Sequence, residues 1–289
     1  MTKILAKIIY KIIWGVDYIF KKATKRSFLI WFKDFIEETS YKTIKINGKD
    51  INFFTPNYIS SWLISEFYSK EPETIEWIDN FDTNEKCIFW DIGSNIGIFS
   101  IYAALKHKNV QVISFEPSTS NLRILTRNIS INNLENKIKV NQFPLSNVEN
   151  KHLIFYESKF MEGLGVHSFG EPKNFEGLKF NPKNKYSIFG TTINYLIKSE
   201  ILEIPNYIKI DVDGIEHLIL EGAQNYLKDR NIKSVAIELN ENYKQQFEKV
   251  LKIMDINNFK ISGKKRAENL DAYKDKKLEK VYNYFFEKK

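Results

Sequence analysis

The stretch Phe89-Trp90-Asp91-Ile92-Gly93-Ser94-Asn95-Ile96-Gly97-Ile98-Phe99-Ser100 decides how the rest of the chain is read. It predicts strand, tight turn and helix. Cys87–Ile92 is an apolar run rich in β-formers, Gly93 and Gly97 punctuate it, and residues 98–105 carry on with apolar side chains at helical spacing. In an open α/β sheet ligands sit outside the carboxyl ends of the strands, and glycine admits a backbone approach that a side chain would block. The turn is therefore a candidate binding site; the alternative is a turn that only joins strand to helix. A dinucleotide fingerprint would read Gly-x-Gly-x-x-Gly, leaving a bare helix N-terminus to face a pyrophosphate. Here Asp91 precedes Gly93 by two residues, and Asn95 stands in place of the second glycine. A carboxylate so placed repels phosphate and suits a ligand with a positive group.

Downstream the alternation of strand and helix repeats, which by itself argues for a doubly wound α/β sheet. Val110–Phe115 reads as the second strand and ends in Glu116-Pro117. An acid there accepts both hydroxyls of an adenosine ribose, and Glu116 lies one βαβ step beyond Asp91. A third strand at 138–143 empties into Pro144-Leu145-Ser146-Asn147, where Ser146 and Asn147 are candidates to hydrogen-bond an adenine. S-adenosylmethionine, with a charged amino acid end and an adenosine, is a ligand of this kind. The stretch 206–222 then places Lys209, Asp211 and Asp213 in or beside a strand that should be apolar. Unpaired in a core, each would cost several kcal/mol, so they are expected to line the cleft, with Asp211 at the strand's end beside Asp91.

The pattern Asp-x-Gly-x-Asn-x-Gly resembles the first motif of class I methyltransferases, and residues 71–239 as a whole resemble the FkbM-type methyltransferases. Asp91, Gly93, Asn95 and Gly97 match the first motif, Glu116-Pro117 the second, and Lys209, Asp211, Gly214 and Glu216 the third. The resemblance implies a Rossmann-like seven-stranded sheet in the order 3-2-1-4-5-7-6 with an antiparallel closing strand. It also implies methyl transfer from S-adenosylmethionine, often to a hydroxyl of a sugar or natural product. On that reading Asp91, Gly93, Asn95, Gly97, Glu116, Ser146, Asn147 and Asp211 hold the cofactor. Asp211 is the candidate base, Glu216 and the loop residue His167 are the next candidates, and Lys209 is the counter-ion that keeps Asp211 charged. Asp213 stands where the family usually has glutamate, and Thr192-Ile193-Asn194 replaces threonine, leucine and aspartate. Asp211, Asp213 and Glu238 also form an oxygen-only set that would suit magnesium if a metal takes part. Two other readings stay open: N-methylation of an amino sugar or protein side chain, and a binding module that kept the fold and lost turnover.

Around this block the chain is less specific. Its 289 residues allow one large α/β domain plus an extension, divided here as 1–82 and 83–289. The net charge of +7 is concentrated near the N-terminus without a recognition motif of stacking aromatics, so a nucleic-acid partner is not expected. A single cysteine, Cys87, excludes an internal disulfide and a multi-cysteine zinc site, and is compatible with a reducing cytoplasm. In residues 1–36, Ile4, Leu5, Ile8, Ile9, Ile12 and Ile13 follow a helical repeat while Lys3, Lys7 and Lys11 recur on another face. The lysines interrupt the apolar runs too often for a membrane span, and no signal-peptide cleavage site follows. Trp14, Tyr18 and Trp31 beside Lys21, Lys22, Lys25 and Arg26 suit peripheral contact with the anionic inner face of a membrane. Packing on the domain, or on a second copy in a homo-oligomer, is the other reading. Residues 41–54 alternate about Asn47-Gly48 as a hairpin, helices follow at 60–68 and from Pro72, and this segment is read as a cap over the site. Residues 158–187 carry glycines and prolines with no sustained periodicity and are read as a substrate lid. Strands at 234–239, 259–262 and 282–286, with a helix at 244–254, complete the sheet.

Overall fold

The computed structural model describes residues 2–266 and 278–289, so Met1 of the basic segment and residues 267–277 of the carboxyl-terminal one lie outside it. The chain opens with α1 (Thr2–Thr24) and α2 (Leu29–Glu38), followed by β1 (Tyr41–Ile46), β2 (Lys49–Phe54), α3 (Tyr58–Ser65) and α4 (Pro72–Asp79). β1 and β2 pair antiparallel across Asn47-Gly48, whose φ values of 49° and 75° are the left-handed pair that a two-residue type I′ turn demands. The basic segment is two helices, although its periodicity runs on. Lys25 takes φ 61°, and Asp17 accepts hydrogen bonds from Ser27 Oγ at 2.8 Å and from the N–H groups of Phe28 at 2.7 Å and Leu29 at 3.2 Å. A buried carboxylate in α1 thus satisfies N–H groups at the start of α2 that have no partner within their own helix.

From β3 (Cys87–Ile92) the order is α5 (Ile98–Lys106), β4 (Val110–Phe115), α6 (Thr119–Ile131) and β5 (Ile138–Asn141). β6 (Lys151–Glu157), β7 (His167–Phe169), β8 (Asn184–Gly190) and α7 (Ile193–Lys198) come next. β9 (Tyr207–Ile210), α8 (Glu216–Glu221), β10 (Ser234–Asn240), α9 (Lys244–Ile256), β11 (Phe259–Lys265) and β12 (Val281–Lys288) finish the described chain. Seven strands form one sheet in the order β11-β12-β10-β9-β3-β4-β5, with β12 antiparallel to both its neighbours and the other pairings parallel. Counted from β3 this is the expected 3-2-1-4-5-7-6. Alternate residues of β3 serve different cores: Cys87 and Phe89 join one, Ile88, Trp90 and Ile92 the other. Both faces are covered, which is why the strand is an unbroken apolar run. Ile46, Phe53, Ile64 and Ile78 share the first of these cores with the sheet, so residues 41–81 have no core of their own.

A second, three-stranded antiparallel sheet, β7-β6-β8, stands beside the first. It is a departure from the expectation of an aperiodic 158–187. β7 is three residues long, and β8 turns Tyr186 and Ile188 toward Phe155 and Phe169 only through pairing with β6. Neither leaves a periodic signal among the surrounding glycines and prolines.

Candidate active site

The tips of β3, β4, β5 and β9 open on one cleft, whose wall includes Gly93, Asn95, Glu116, Phe143, Leu145, Asp211 and Asp213, with Leu164 and His167 arriving from the lid segment. Gly93 makes this convergence possible. At φ 87° a Cβ on it would lie 1.9 Å from the Asp211 carbonyl oxygen, so the outlets of β3 and β9 touch only because no side chain separates them. Gly97 serves packing instead: its Cβ would meet Leu125 at 2.6 Å, and it is not on the cleft wall.

Asn95, at φ 51°, donates its backbone N–H to Glu116 Oε2 at 2.8 Å and its amide to the Gly163 carbonyl at 3.2 Å, leaving its own Oδ1 buried without a partner. Glu116 also accepts from Ser118 N–H at 2.8 Å. Burial pushes its pKa up to about 8, with nearby Glu157 adding to the rise and the two N–H groups opposing it. Asp91 lies behind the wall, fully buried; Ser100 Oγ donates to its Oδ2 at 2.5 Å and its Oδ1 has no partner. Burial raises its pKa as well, against the attraction of Lys209, its β9 neighbour across the sheet. A buried acceptor without a donor costs about 1–3 kcal/mol. The orphaned oxygen of Asn95, a residue of the cleft wall, therefore fits a ligand that brings donors, as the hydroxyls of S-adenosylmethionine do, whereas that of Asp91 lies one layer behind the wall.

The third motif divides. Lys209 is buried, donates to Asp211 Oδ2 at 2.7 Å and lies 4.9 Å from the centre of the Phe99 ring. Burial alone would raise the pKa of Asp211, but Lys209 and Lys70 outweigh it and hold the carboxyl below its ordinary value. Lys70 is ion-paired with Glu71 between α3 and α4, so the upstream segment contributes charge to the site. Nothing in Lys70-Glu71-Pro72 signalled this beyond a helix start, because the contact is long-range. Asp213, with its pKa pushed up to about 6 by burial and by Asp211, accepts from the Val166 N–H at 2.6 Å. Val166 at φ 59° and Asp213 at φ 61° are both left-handed, which strains the β-branched valine, and their hydrogen bond pins the 158–166 segment to the strand tip. Asn121 adds two more bonds, accepting from Gly163 N–H at 2.8 Å and donating to the Leu164 carbonyl at 3.1 Å.

Besides Asp91, Gly97 and Lys209, three further expected site residues are placed away from the cleft wall. Glu216 accepts from Gly214 N–H at 3.1 Å, Val212 N–H at 3.3 Å and Gln246 Nε2 at 2.5 Å, which makes it the anchor of the turn after β9. Ser146 is buried behind Leu145, and the Asn147 amide donates to Glu221 at 2.8 Å. At the outlet of β5 the cleft wall is apolar, presenting Phe143 and Leu145 where hydrogen bonds to an adenine were expected. Among the described residues no group of three His, Cys, Asp or Glu side chains is disposed to hold a metal ion, so the Asp211, Asp213 and Glu238 magnesium site is not assembled. His167 does reach the wall, its pKa lowered by burial against the opposing pull of Glu157 and the Leu164 and Val166 backbone. Asn194 joins two turns, accepting from Asn225 N–H at 3.1 Å.

A seven-stranded sheet of this order, with acids at successive strand tips, is the Rossmann-like sheet of the class I methyltransferases. Residues 91–261 match the methyltransferase FkbM domain, and the chain belongs to that family. Its relatives include the hexuronic acid methyltransferase AglP of Haloferax volcanii, 26% identical over 156 residues that make up 54% of this chain and 58% of AglP. Methyltransferase sdnD of Sordaria araneosa is 30% identical over 89 residues, 31% of this chain and 34% of that protein. Similar solved structures include TYW2 of M. jannaschii in complex with AdoMet (TM-score 0.43, 13% identity, 86% of this chain and 87% of that one). Another is precorrin-6y C5,15-methyltransferase of Geobacter metallireducens (TM-score 0.44, 11% identity, 75% and 87%).

Proposed function

We propose that the protein methylates a hydroxyl, of a sugar in a surface glycan or of a natural product. The observation that carries this reading is Asp211: a carboxylate on the cleft wall, kept ionised by Lys209 and Lys70 at the tip of the strand beside the cofactor turn. An alcohol holds its proton near neutral pH, and a positioned base contributes typically 10²–10⁴-fold. S-adenosylmethionine, when bound, supplies the methyl group and leaves as the neutral thioether. Asp211 takes the hydroxyl proton as the oxygen is alkylated, while Gly93, Asn95 and Glu116 fix the cofactor and the lid residues keep water out. Methylation of a hexuronic acid by the relative AglP supports a sugar acceptor.

The acid excess around the cleft, with Glu71, Asp91, Asp211, Asp213 and Glu238 facing Lys70 and Lys209, favours an amino sugar as the second reading. The test is mass spectrometry of glycans and secreted products from a deletion strain and its parent, with linkage analysis of the altered residue. Loss of one methyl ether on deletion, restored by the wild-type gene and not by Asp211→Asn, is the expected result. Loss of an N-methyl group instead would replace the hydroxyl reading, and unchanged glycans and products would end it.

A further inference from the structure

α1 and α2 carry a surface that the methyl-transfer site does not use. Ile4, Ile12 and Ile19 on α1 are 67%, 62% and 70% exposed, and Ile30, Trp31 and Phe35 on α2 are 65%, 62% and 59% exposed. Monomeric soluble proteins rarely leave apolar patches larger than a few hundred Å² open, and those that do mark a partner or a membrane. The catalytic body does not cover this one. Asp17 is the one buried residue of α1, and the side turned toward the body borders an open groove at Ile9, Ile13 and Ile36.

Charge selects the partner. Lys3, Lys7 and Lys11 lie along α1, and Lys21, Lys22, Lys25 and Arg26 cluster at the corner between the helices. The one acid in residues 1–33 is Asp17, which is turned inward and occupied by Ser27, Phe28 and Leu29. A second copy of the chain would bring the same positive charge to the contact, whereas an anionic lipid surface complements it. Trp14 and Tyr18, stacked with ring centroids 5.7 Å apart, and Trp31 are side chains that favour the boundary between headgroups and acyl chains. Among the described residues no helix is long and apolar enough to cross a membrane. The pair is also held in a fixed pose. Asp17 sets its corner, and Glu37 at the end of α2 pairs with Arg123 and Arg127 of α6.

We propose that the α1–α2 pair docks the enzyme peripherally on an anionic bilayer, its aliphatic and aromatic side chains entering the headgroup boundary and its lysines meeting lipid phosphates. The test is cosedimentation of the full chain with vesicles of phosphatidylcholine mixed with phosphatidylglycerol, and with phosphatidylcholine alone. Binding to the mixed vesicles at low salt, weakening as salt screens the charges, is expected, with little binding to the neutral ones. Lys7→Glu/Lys11→Glu and Ile12→Asp/Ile19→Asp should each weaken it on the order of tenfold or more while leaving circular dichroism and cofactor binding unchanged, since these side chains are exposed. Equal binding to both vesicle types, binding unaffected by either double variant, or a stable dimer that ignores mixed vesicles at low salt would each overturn the proposal.

Discussion

Glu116 lies in surroundings that favour its neutral form, with a pKa pushed up to about 8, while ribose hydroxyls donate best to a carboxylate. With Glu116 as the ribose acceptor, binding the cofactor would release a proton below pH 8. Affinity for S-adenosylhomocysteine should rise with pH by up to roughly tenfold per unit toward pH 8 and then level off, and calorimetry of Glu116→Gln should show weaker binding without that slope. Stability runs the other way. The unfolded pKa is about 4.3, so the contribution of Glu116 to folding is complete below that value and is lost as pH rises through 8. Glu116→Gln should accordingly melt higher than wild type at pH 8.5. At Asp211 the prediction is kinetic: Asp211→Asn keeps the shape, so kcat should fall by 10²-fold or more with cofactor affinity nearly unchanged. Retained kcat with a weakened binding constant would transfer the role of base to His167. That Gly93, Asn95 and Glu116 would meet at one cleft was legible because each belongs to a short local motif at a strand tip. The places of Ser146 and Asn147 off the wall were not, because the outlet of β5 turns Phe143 and Leu145, up to four residues earlier, to the cleft.

Gly93 shows what one glycine does for two strands. An alanine there would combine a left-handed backbone with a Cβ 1.9 Å from the Asp211 carbonyl, and such strain costs of order 1–3 kcal/mol before any clash is relieved. Gly93→Ala should lower the denaturant midpoint and abolish cofactor binding together. The lid is held differently, by the bond from Val166 N–H to Asp213. Asp213→Ala should leave the sheet folded, expose residues 158–166 to limited proteolysis and raise KM for the acceptor more than for the cofactor. The parallel strands were legible because burial on both faces makes them apolar runs, and the hairpin because Asn47-Gly48 has one favoured geometry. β7 was not, since three residues owe their extended form to β6 and not to their own pattern. The break between α1 and α2 was equally hidden: it depends on Asp17 reaching residues ten and more positions ahead.

For the whole molecule, the sheet order followed from family motifs and alternation, while the relation of the helical pair to the cleft became visible only in three dimensions. Arg123 pairs at once with Glu37 on α2 and with Glu162, the residue before Gly163 in the lid. A tilt of α2 at a surface would therefore be felt at Glu162, next to the Gly163–Leu164 stretch that Asn121 holds against the cleft. Partly exposed ion pairs are worth at most about 1 kcal/mol, so this linkage can alter turnover by about fivefold at most. On the proposed docking, turnover on a vesicle would differ from turnover in bulk water by no more than that factor, and Arg123→Ala, which removes the pairs to Glu37 and Glu162 together, should abolish the difference in a vesicle-dependent assay.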